Sequence, residues 1–303
     1  MAARFVRLVT LFVALAAFQL TGARVAEAKD RPAHHKLAAP GPALWKVADK
    51  DTTIYLFGTV HALPKGTEWY KPHVKAAFES SDELVTEVSK QDLDSVGGLM
   101  SEVIYLPKGQ NLRDLLPAPD REAFGMALVS LGIPVETFDR YKPWAAAFFL
   151  SLLPVQQAGF ESDQGVDVKL TQMAGANVKH TALETAAFQI GLFNDMPQDK
   201  QIAYLRDVVR SIPEIAPQIE EIAAAWSAGD VDELSKVYLA DDTDPLLHQS
   251  VITERNKAWA AWIRQRLKRP GTVFVAVGAG HLAGDDSVQA QLRKHGIKSV
   301  RVR

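Results

Sequence analysis

Two histidines raise the first chemical possibility in this chain. His61 closes Gly58-Thr59-Val60-His61 and His281 closes Gly278-Ala279-Gly280-His281, each three residues after a glycine that follows a short apolar run (53–57 and 272–277). Imidazole near neutral pH serves both as a metal ligand and as a proton shuttle, so either role is open to the pair. Glu87 lies at the end of a strand predicted over 83–88. If that strand returns parallel to the one before His61, its carboxyl end reaches the same rim. Glu87 there completes a two-histidine, one-carboxylate set or acts as a general base. Arg255 projects from the middle of an apolar helical arc formed by Leu247, Val251, Ile252, Ala258, Trp259, Trp262, Ile263 and Leu267. Arginine is seldom buried unpaired, so an acidic partner or a ligand oxyanion is expected for it. Glu184, at the end of a strand predicted over 178–183, is a fourth site group or the partner of Arg255, and equally the cap of a helix starting near Thr185.

These side chains need elements to bring them together across 220 residues of chain. After His61, residues 71–80 have helical spacing, with Pro72 in the first turn, and lead into the 83–88 strand. After His281, Asp285 is placed to cap a helix through Val288, Gln291 and Leu292; Gly296 ends it, and residues 298–302 alternate as a strand. Each end of the chain reads as one strand-turn-helix-strand unit, and the two as related halves of one sheet. Ligands bind beyond the carboxyl ends of strands in open α/β sheets. Gly58 and Gly278 are accessory positions, there to turn the chain sharply. The middle reads as mainly helical: an apolar helix from Pro143, a helix over 166–174, three amphipathic helices over 198–239 separated by Pro213 and by Gly229-Asp230, and one long helix over 245–269. The expected fold class is α/β, a central sheet built from the two units with a large, mainly helical insertion between them.

Other polar residues read as structural. Glu68 and His73 are loop residues, His180 a surface residue of a strand, and His295 suits a helix C-terminus. His248 and Arg266 share the direction of Arg255 but lie near helix ends, where solvent is within reach. The sequence has no H-E-x-x-H, no G-x-S-x-G and no G-x-x-x-x-G-K-S/T, which removes three common hydrolase and nucleotide-binding readings.

Taken together, Leu56-Phe57-Gly58-Thr59-Val60-His61, Glu87, Glu254-Arg255-Asn256 and Val277-Gly278-Ala279-Gly280-His281-Leu282-Ala283-Gly284 resemble the TraB/GumN family. Lys142-Pro143-Trp144, Gly165-Val166-Asp167, Leu183-Glu184-Thr185 and Gln189 extend the resemblance over about residues 44–303. The animal Tiki proteases are distant relatives of that family. The Tiki likeness implies metal-dependent hydrolysis of a peptide bond, with His61, His281 and Glu87 holding a divalent transition metal (manganese, cobalt, iron or zinc) and Arg255 stabilising developing negative charge. Two other roles stay open. One is metal-free histidine/glutamate hydrolysis, as in the distantly similar erythromycin esterase-like proteins. The other is non-catalytic binding of a peptide or glycan, since GumN-type members are linked to exopolysaccharide clusters and TraB-type members to peptide-pheromone shutdown.

Bulk properties bound the setting. Arg4 and Arg7 precede a mostly apolar stretch over 8–20, and Ala26-Glu27-Ala28 follows as a small-x-small cleavage site, the pattern of a secretory signal. The stretch is short of the ~20 residues a membrane span needs. Cleavage leaves 275 of the 303 residues and moves the formal charge from −2 to −4, by removing Arg4, Arg7, Arg24 and Glu27. No stable membrane anchor then remains, the expected location is periplasmic or secreted, and the charge does not favour nucleic acid. Residues 29–42, with His34 and His35, read as a flexible leader, and 43–303 as a single domain. The chain has no cysteine, which excludes disulfides, thiolate ligands and a cysteine nucleophile.

Overall fold

The structure, a computed structural model, describes residues 41–239 and 245–302. The expected signal segment and nearly all of the leader lie outside the described residues. Among the described residues eight strands appear in chain order: β1 (Leu44–Ala48), β2 (Thr52–Thr59), β3 (Leu63–Pro64), β4 (Glu83–Val88), β5 (Phe160–Glu161), β6 (Lys179–Glu184), β7 (Gly271–Gly278) and β8 (Val300–Val302). Six of them form one mixed sheet in the order β6-β4-β7-β2-β1-β8, and β3 pairs with β5 in a small separate ladder. The run β6-β4-β7-β2 is parallel throughout, while β1 is antiparallel to both its neighbours.

The helices are α1 (Pro72–Glu79), α2 (Lys90–Val103), α3 (Leu112–Leu115), α4 (Ala118–Ser130), α5 (Pro143–Gln157), α6 (Val166–Met173), α7 (Ala186–Asn194), α8 (Gln198–Ala228), α9 (Val231–Leu239), α10 (Glu254–Arg266) and α11 (Val288–Arg293). The two end units are both present, β2-α1-β4 and β7-α11-β8, and they share the sheet. β7 lies between the strands of the first unit. The fold is therefore the α/β class expected, with the helical segments inserted between the units.

Side-chain alternation divides the core in two. Phe57, Leu84, Val88, Phe274 and Ala276 face a large core that includes α5 and the inner stripe of α8. Ile54, Leu56, Val85, Val273 and Val275 face a smaller one with Trp259, Ile263, Val288 and Leu292. Strands covered on both faces read as continuous apolar runs, which is why β2 and β7 were visible in the sequence.

Four expectations are corrected. Pro213 does not separate helices: α8 runs for 31 residues with Pro213 and Pro217 inside it. Each proline costs one backbone hydrogen bond, but Leu205, Val208, Ile215, Ile219, Ile222 and Trp226 bury one face of the helix and outweigh that loss. Residues 245–269 are not one regular helix. A single α-helical turn at Pro245–His248 and a π-helical stretch at Gln249–Thr253 precede α10. The cap of α11 is Ser287, whose side chain accepts from the Ala290 N–H, and not Asp285. Finally, the two glycines do not turn the chain by unusual dihedrals. Gly278 has φ −50° and β2 continues through Thr59. What Gly58 supplies is space, since a Cβ there would meet the Ala279 Cα at 3.0 Å.

Candidate active site

The carboxyl rim of the parallel strands gathers the candidate residues. Thr59 pairs with Gly278 in register, and Thr86 with Ala276, so β2, β7 and β4 end together. His61, Glu87 and His281 all stand at this rim; Glu87 and His281 share Arg255 as a partner, and His61 lies beside Asp167.

His281 is wholly buried, at 0% exposure. Its Nε2 lies 3.1 Å from Arg255 Nη1 and its Nδ1 lies 2.6 Å from Asn256 Oδ1. A guanidinium only donates, so Nε2 accepts and Nδ1–H donates to the Asn256 amide oxygen. Asn256 Nδ2 in turn donates to the Asp286 carbonyl at 2.8 Å, which is consistent with that amide orientation. The Trp259 ring lies 4.3 Å from the imidazole, centroid to centroid. Burial, then the positive Arg255, then His61 and His248, push the His281 pKa well below the ordinary imidazole value of 6.5. His281 is a neutral imidazole with both ring nitrogens engaged.

Arg255 is the hub, 2% exposed. Its Nη2 donates to Glu87 Oε2 at 2.7 Å and to Glu184 Oε2 at 2.9 Å, and its Nε to Glu184 Oε1 at 3.0 Å. Its Nη1 also donates to the Val251 carbonyl at 3.1 Å, within the π-helical stretch where the Glu254 N–H reaches back to Gln249. A π-helical turn widens the ladder, and such turns are frequent at functional sites. Burial opposes the charge of Arg255, but Glu87 and Glu184 outweigh it and hold the guanidinium pKa above its usual value.

Two carboxylates on one cation leave an excess negative charge, which Gln189 moderates by donating to both Glu87 Oε2 and Glu184 Oε2 at 3.0 Å. Trp259 Nε1 adds a bond to Glu184 Oε1 at 2.8 Å, and the Gly278 N–H one to Glu87 Oε1 at 2.7 Å. Glu184 is thus bonded to Arg255. The helix cap that it was also read as is supplied by Thr185, which accepts from the Phe188 N–H.

His61 has a different environment. It is 5% exposed, and its Nδ1 lies 3.2 Å from Asp167 Oδ1 on α6. At this separation the carboxylate stands beside the ring as an ion-pair neighbour and not as an aligned hydrogen-bond acceptor. The position of α6 is fixed tightly: Val166 N–H donates to the Val60 carbonyl at 2.9 Å, and a Cβ on Gly165 would meet the His61 carbonyl oxygen at 2.5 Å. His61, Asp167, Glu87, Thr59 and Thr86 line one small cleft at the rim, with about 20 Å³ of water-sized space. His281 lies outside that lining.

A metal was expected at His61, His281 and Glu87. Among the described residues no group of three or more His, Cys, Asp or Glu side chains is placed to hold an ion. The donor chemistry agrees: the His281 Nε2 lone pair and Glu87 Oε2 both face Arg255, and Glu87 Oε1 faces a backbone N–H. In this arrangement the trio does not fit a divalent cation.

Two residues read as solvated are not. Arg266 is buried and its Nε donates to Glu83 Oε2 at 2.9 Å at the opposite end of the sheet. His180 is half-buried with Nε2 2.9 Å from Thr86 Oγ1. The pairing of β6 with β4 brings Thr86 within reach of His180, and the packing of α10 on the sheet brings Glu83 within reach of Arg266. His248 is half-buried, 3.4 Å from Asp286. The residues missed as site groups are Asp167, Gln189, Asn256 and Trp259. Asp167 and Gln189 stood in segments that carried the family resemblance, and Asn256 adjoins Arg255, so the signal was proximity in motif and not residue type. No helix among the described residues is long and apolar enough to cross a membrane.

Comparison with known proteins gives consistent results. Residues 43–301 match the TraB/PrgY/gumN family profile. An uncharacterized protein of Treponema pallidum is 21% identical over 265 residues, covering 82% of this chain and 80% of its own. The Escherichia coli protein YbaP is 23% identical, covering 79% of this chain and 87% of its own. A metalloprotease TIKI homolog of the sponge Amphimedon queenslandica is 24% identical; the match takes in 86% of this chain and 61% of that longer protein. No solved structure matches the chain.

Proposed function

We propose, for a chain that belongs to the TraB/PrgY/gumN family, that it is a hydrolase of peptide-type bonds whose proton-transferring group is His61. The observation that carries this reading is the buried His61–Asp167 pair at the wall of a cleft on the carboxyl rim of a parallel sheet. The distant likeness to a protein named as a metalloprotease supports the bond type. In the reaction, His61 Nε2 accepts a proton from water as the water oxygen attacks the scissile carbonyl carbon. The same nitrogen returns the proton to the leaving amine as the C–N bond breaks, so atoms and charge balance. Asp167, within ion-pair distance of the ring, offsets the positive charge the imidazole gains in passing. Glu87, with its oxygens bonded to Arg255, Gln189 and Gly278, is a positioning residue that ties β4 to the end of β7. Arg255 fixes Glu87, Glu184 and His281 in one lattice. A substrate of peptide size exceeds the cleft, so the small interior receives the reacting atoms and the substrate body lies outside it.

A second reading, metal-dependent hydrolysis with manganese, cobalt, iron or zinc, is favoured by the name of the sponge relative. It requires Arg255 to withdraw from His281 and Glu87. One experiment covers both. Purified protein, with and without chelator, is assayed on a panel of fluorogenic peptides and analysed for bound metal. Turnover that survives chelation and is lost in His61→Ala supports the first reading. Turnover restored only by added metal, with metal loss in His281→Ala, replaces it with the second. Peptide binding without cleavage under any condition moves the chain to a binding role. Mass analysis of exported protein tests the accompanying proposal that residues 1–28 are removed on passage out of the cytoplasm.

A further inference from the structure

The cleft floor carries two threonines with opposite fates. Thr86 on β4 and Thr59 on β2 point to the same sheet face, that of Phe57 and Ala276, and both line the cleft. The Thr86 hydroxyl donates to the Val88 carbonyl at 2.7 Å and receives His180 Nε2 at 2.9 Å. The Thr59 side chain is 1% exposed, and its Oγ1 has no hydrogen-bond partner among the described residues. A buried hydroxyl without a partner is unfavourable, and valine has almost the same shape without that cost. Its floor neighbour Ala276 is apolar, so packing alone does not call for a hydroxyl there. Thr59 ends β2 two residues before His61, and both residues line the same small cleft.

We propose that Thr59 Oγ1 and His61 together hold the water that attacks the substrate, with Thr59 as its second anchor. The space fits: about 20 Å³ is above the roughly 10–15 Å³ that one water needs and well below the room for a substrate side chain. The partners also fit, since a hydroxyl both donates and accepts while His61 Nε2 accepts the proton that leaves. With the water anchored at two points, its oxygen lone pair is aimed outward, toward the cleft mouth where the carbonyl arrives. Thr59 thus fixes the direction of attack. This inference rests on the reading of His61 as the base.

The test uses Thr59→Val and Thr59→Ser in the full chain. Removing the second anchor should lower kcat on the order of 100-fold, with KM nearly unchanged and Tm equal to or above that of the wild type. Thr59→Ser, which keeps the hydroxyl, should recover most of kcat. Thr59→Val with kcat within threefold of wild type overturns the inference, as does loss of kcat and Tm together in both variants. A crystal structure of the wild type separates this failure from that of the hydrolase reading. An ordered water bonded to Thr59 Oγ1 and His61 Nε2, in a protein that cleaves no peptide, leaves the water site standing and removes the reaction. Thr59 Oγ1 bonded to a protein carbonyl instead removes the water site, whatever the turnover.

Discussion

His61 and His281 leave neighbouring parallel strands at the same rim, after turns that look alike in sequence, yet their surroundings differ sharply. His281 is enclosed by Arg255, Asn256 and Trp259, with an acceptor nitrogen and a donor nitrogen each assigned. His61 stands beside one carboxylate at the wall of a cleft. A repeated motif therefore fixes where a side chain emerges but not what it does. The local chain delivers an imidazole to the rim. Whether that imidazole braces the site or acts in it depends on what the intervening segments place opposite: α10 for one histidine and α6 for the other.

The sharpest way to break this contrast is through Arg255, on which the braced side depends. Arg255→Ala leaves Glu87 and Glu184 buried without their cation and His281 without its donor. Breaking a buried pair from one side costs about 3–5 kcal/mol, and here two carboxylates lose their partner. Chemical denaturation should show a loss of that size. Arg255→Lys should recover only a small part, because one ammonium cannot reproduce a fork that meets two carboxylates, a carbonyl and an imidazole. A variant as stable as the wild type would mean that the lattice is not a structural brace.

Next in size is His281→Ala. It removes a fully buried ring packed on Trp259 and leaves Asn256 Oδ1 and Arg255 Nη1 each short of one partner. Cavity and unsatisfied polar terms together suggest a loss of roughly 3 kcal/mol. The same enclosure predicts an acid response. The folded-state pKa of His281 lies well below 6.5, so below that pH the unfolded chain binds a proton that the folded chain refuses. The stabilising contribution is complete above about pH 6.5 and is lost progressively as pH falls toward the folded-state value. Stability measured from pH 7 to pH 5 should therefore decline more steeply in the wild type than in His281→Gln. Parallel curves would place the acid sensitivity elsewhere.

Much of this was readable in the sequence, and what was missed has physical reasons. β2 and β7 are largely buried on both faces, and their apolar runs showed it, while β4 is buried throughout although Glu83, Thr86 and Glu87 interrupt its apolar residues. Arg255 stood out because an arginine within an apolar arc demands a partner. Asp167 did not, since one aspartate in the first turn of a helix is also what the helix dipole favours, and only the fold brings it to His61. The π-helical stretch at Gln249–Thr253 was hidden as well: residues in it keep helical spacing, and the local bond from Arg255 to the Val251 carbonyl depends on an Arg255 held by the distant Glu87 and Glu184. α8 was divided at Pro213 because proline is read locally, while its inner face packs along the 31-residue helix.

The smallest expected effect on stability is at His61, and it is the one that completes the comparison. The residue lies beyond the end of β2, and its partner Asp167 keeps about a tenth of its side chain in contact with solvent. His61 is itself buried, so loss of the imidazole opens a small cavity, but the adjoining cleft lets water reach Asp167. His61→Ala should cost about 1–2 kcal/mol, less than His281→Ala, which also strips Asn256 and Arg255 of a partner. Turnover should nevertheless fall by 10²–10⁴-fold, roughly the span that positioned acid–base groups contribute. His281→Ala should show the reverse proportion, with residual activity tracking the fraction of folded protein. Denaturation midpoints and kcat measured on the same preparations separate the two profiles. If both histidines lose activity equally while both proteins remain folded, the site is symmetric after all, and the division into a braced and an acting histidine is wrong.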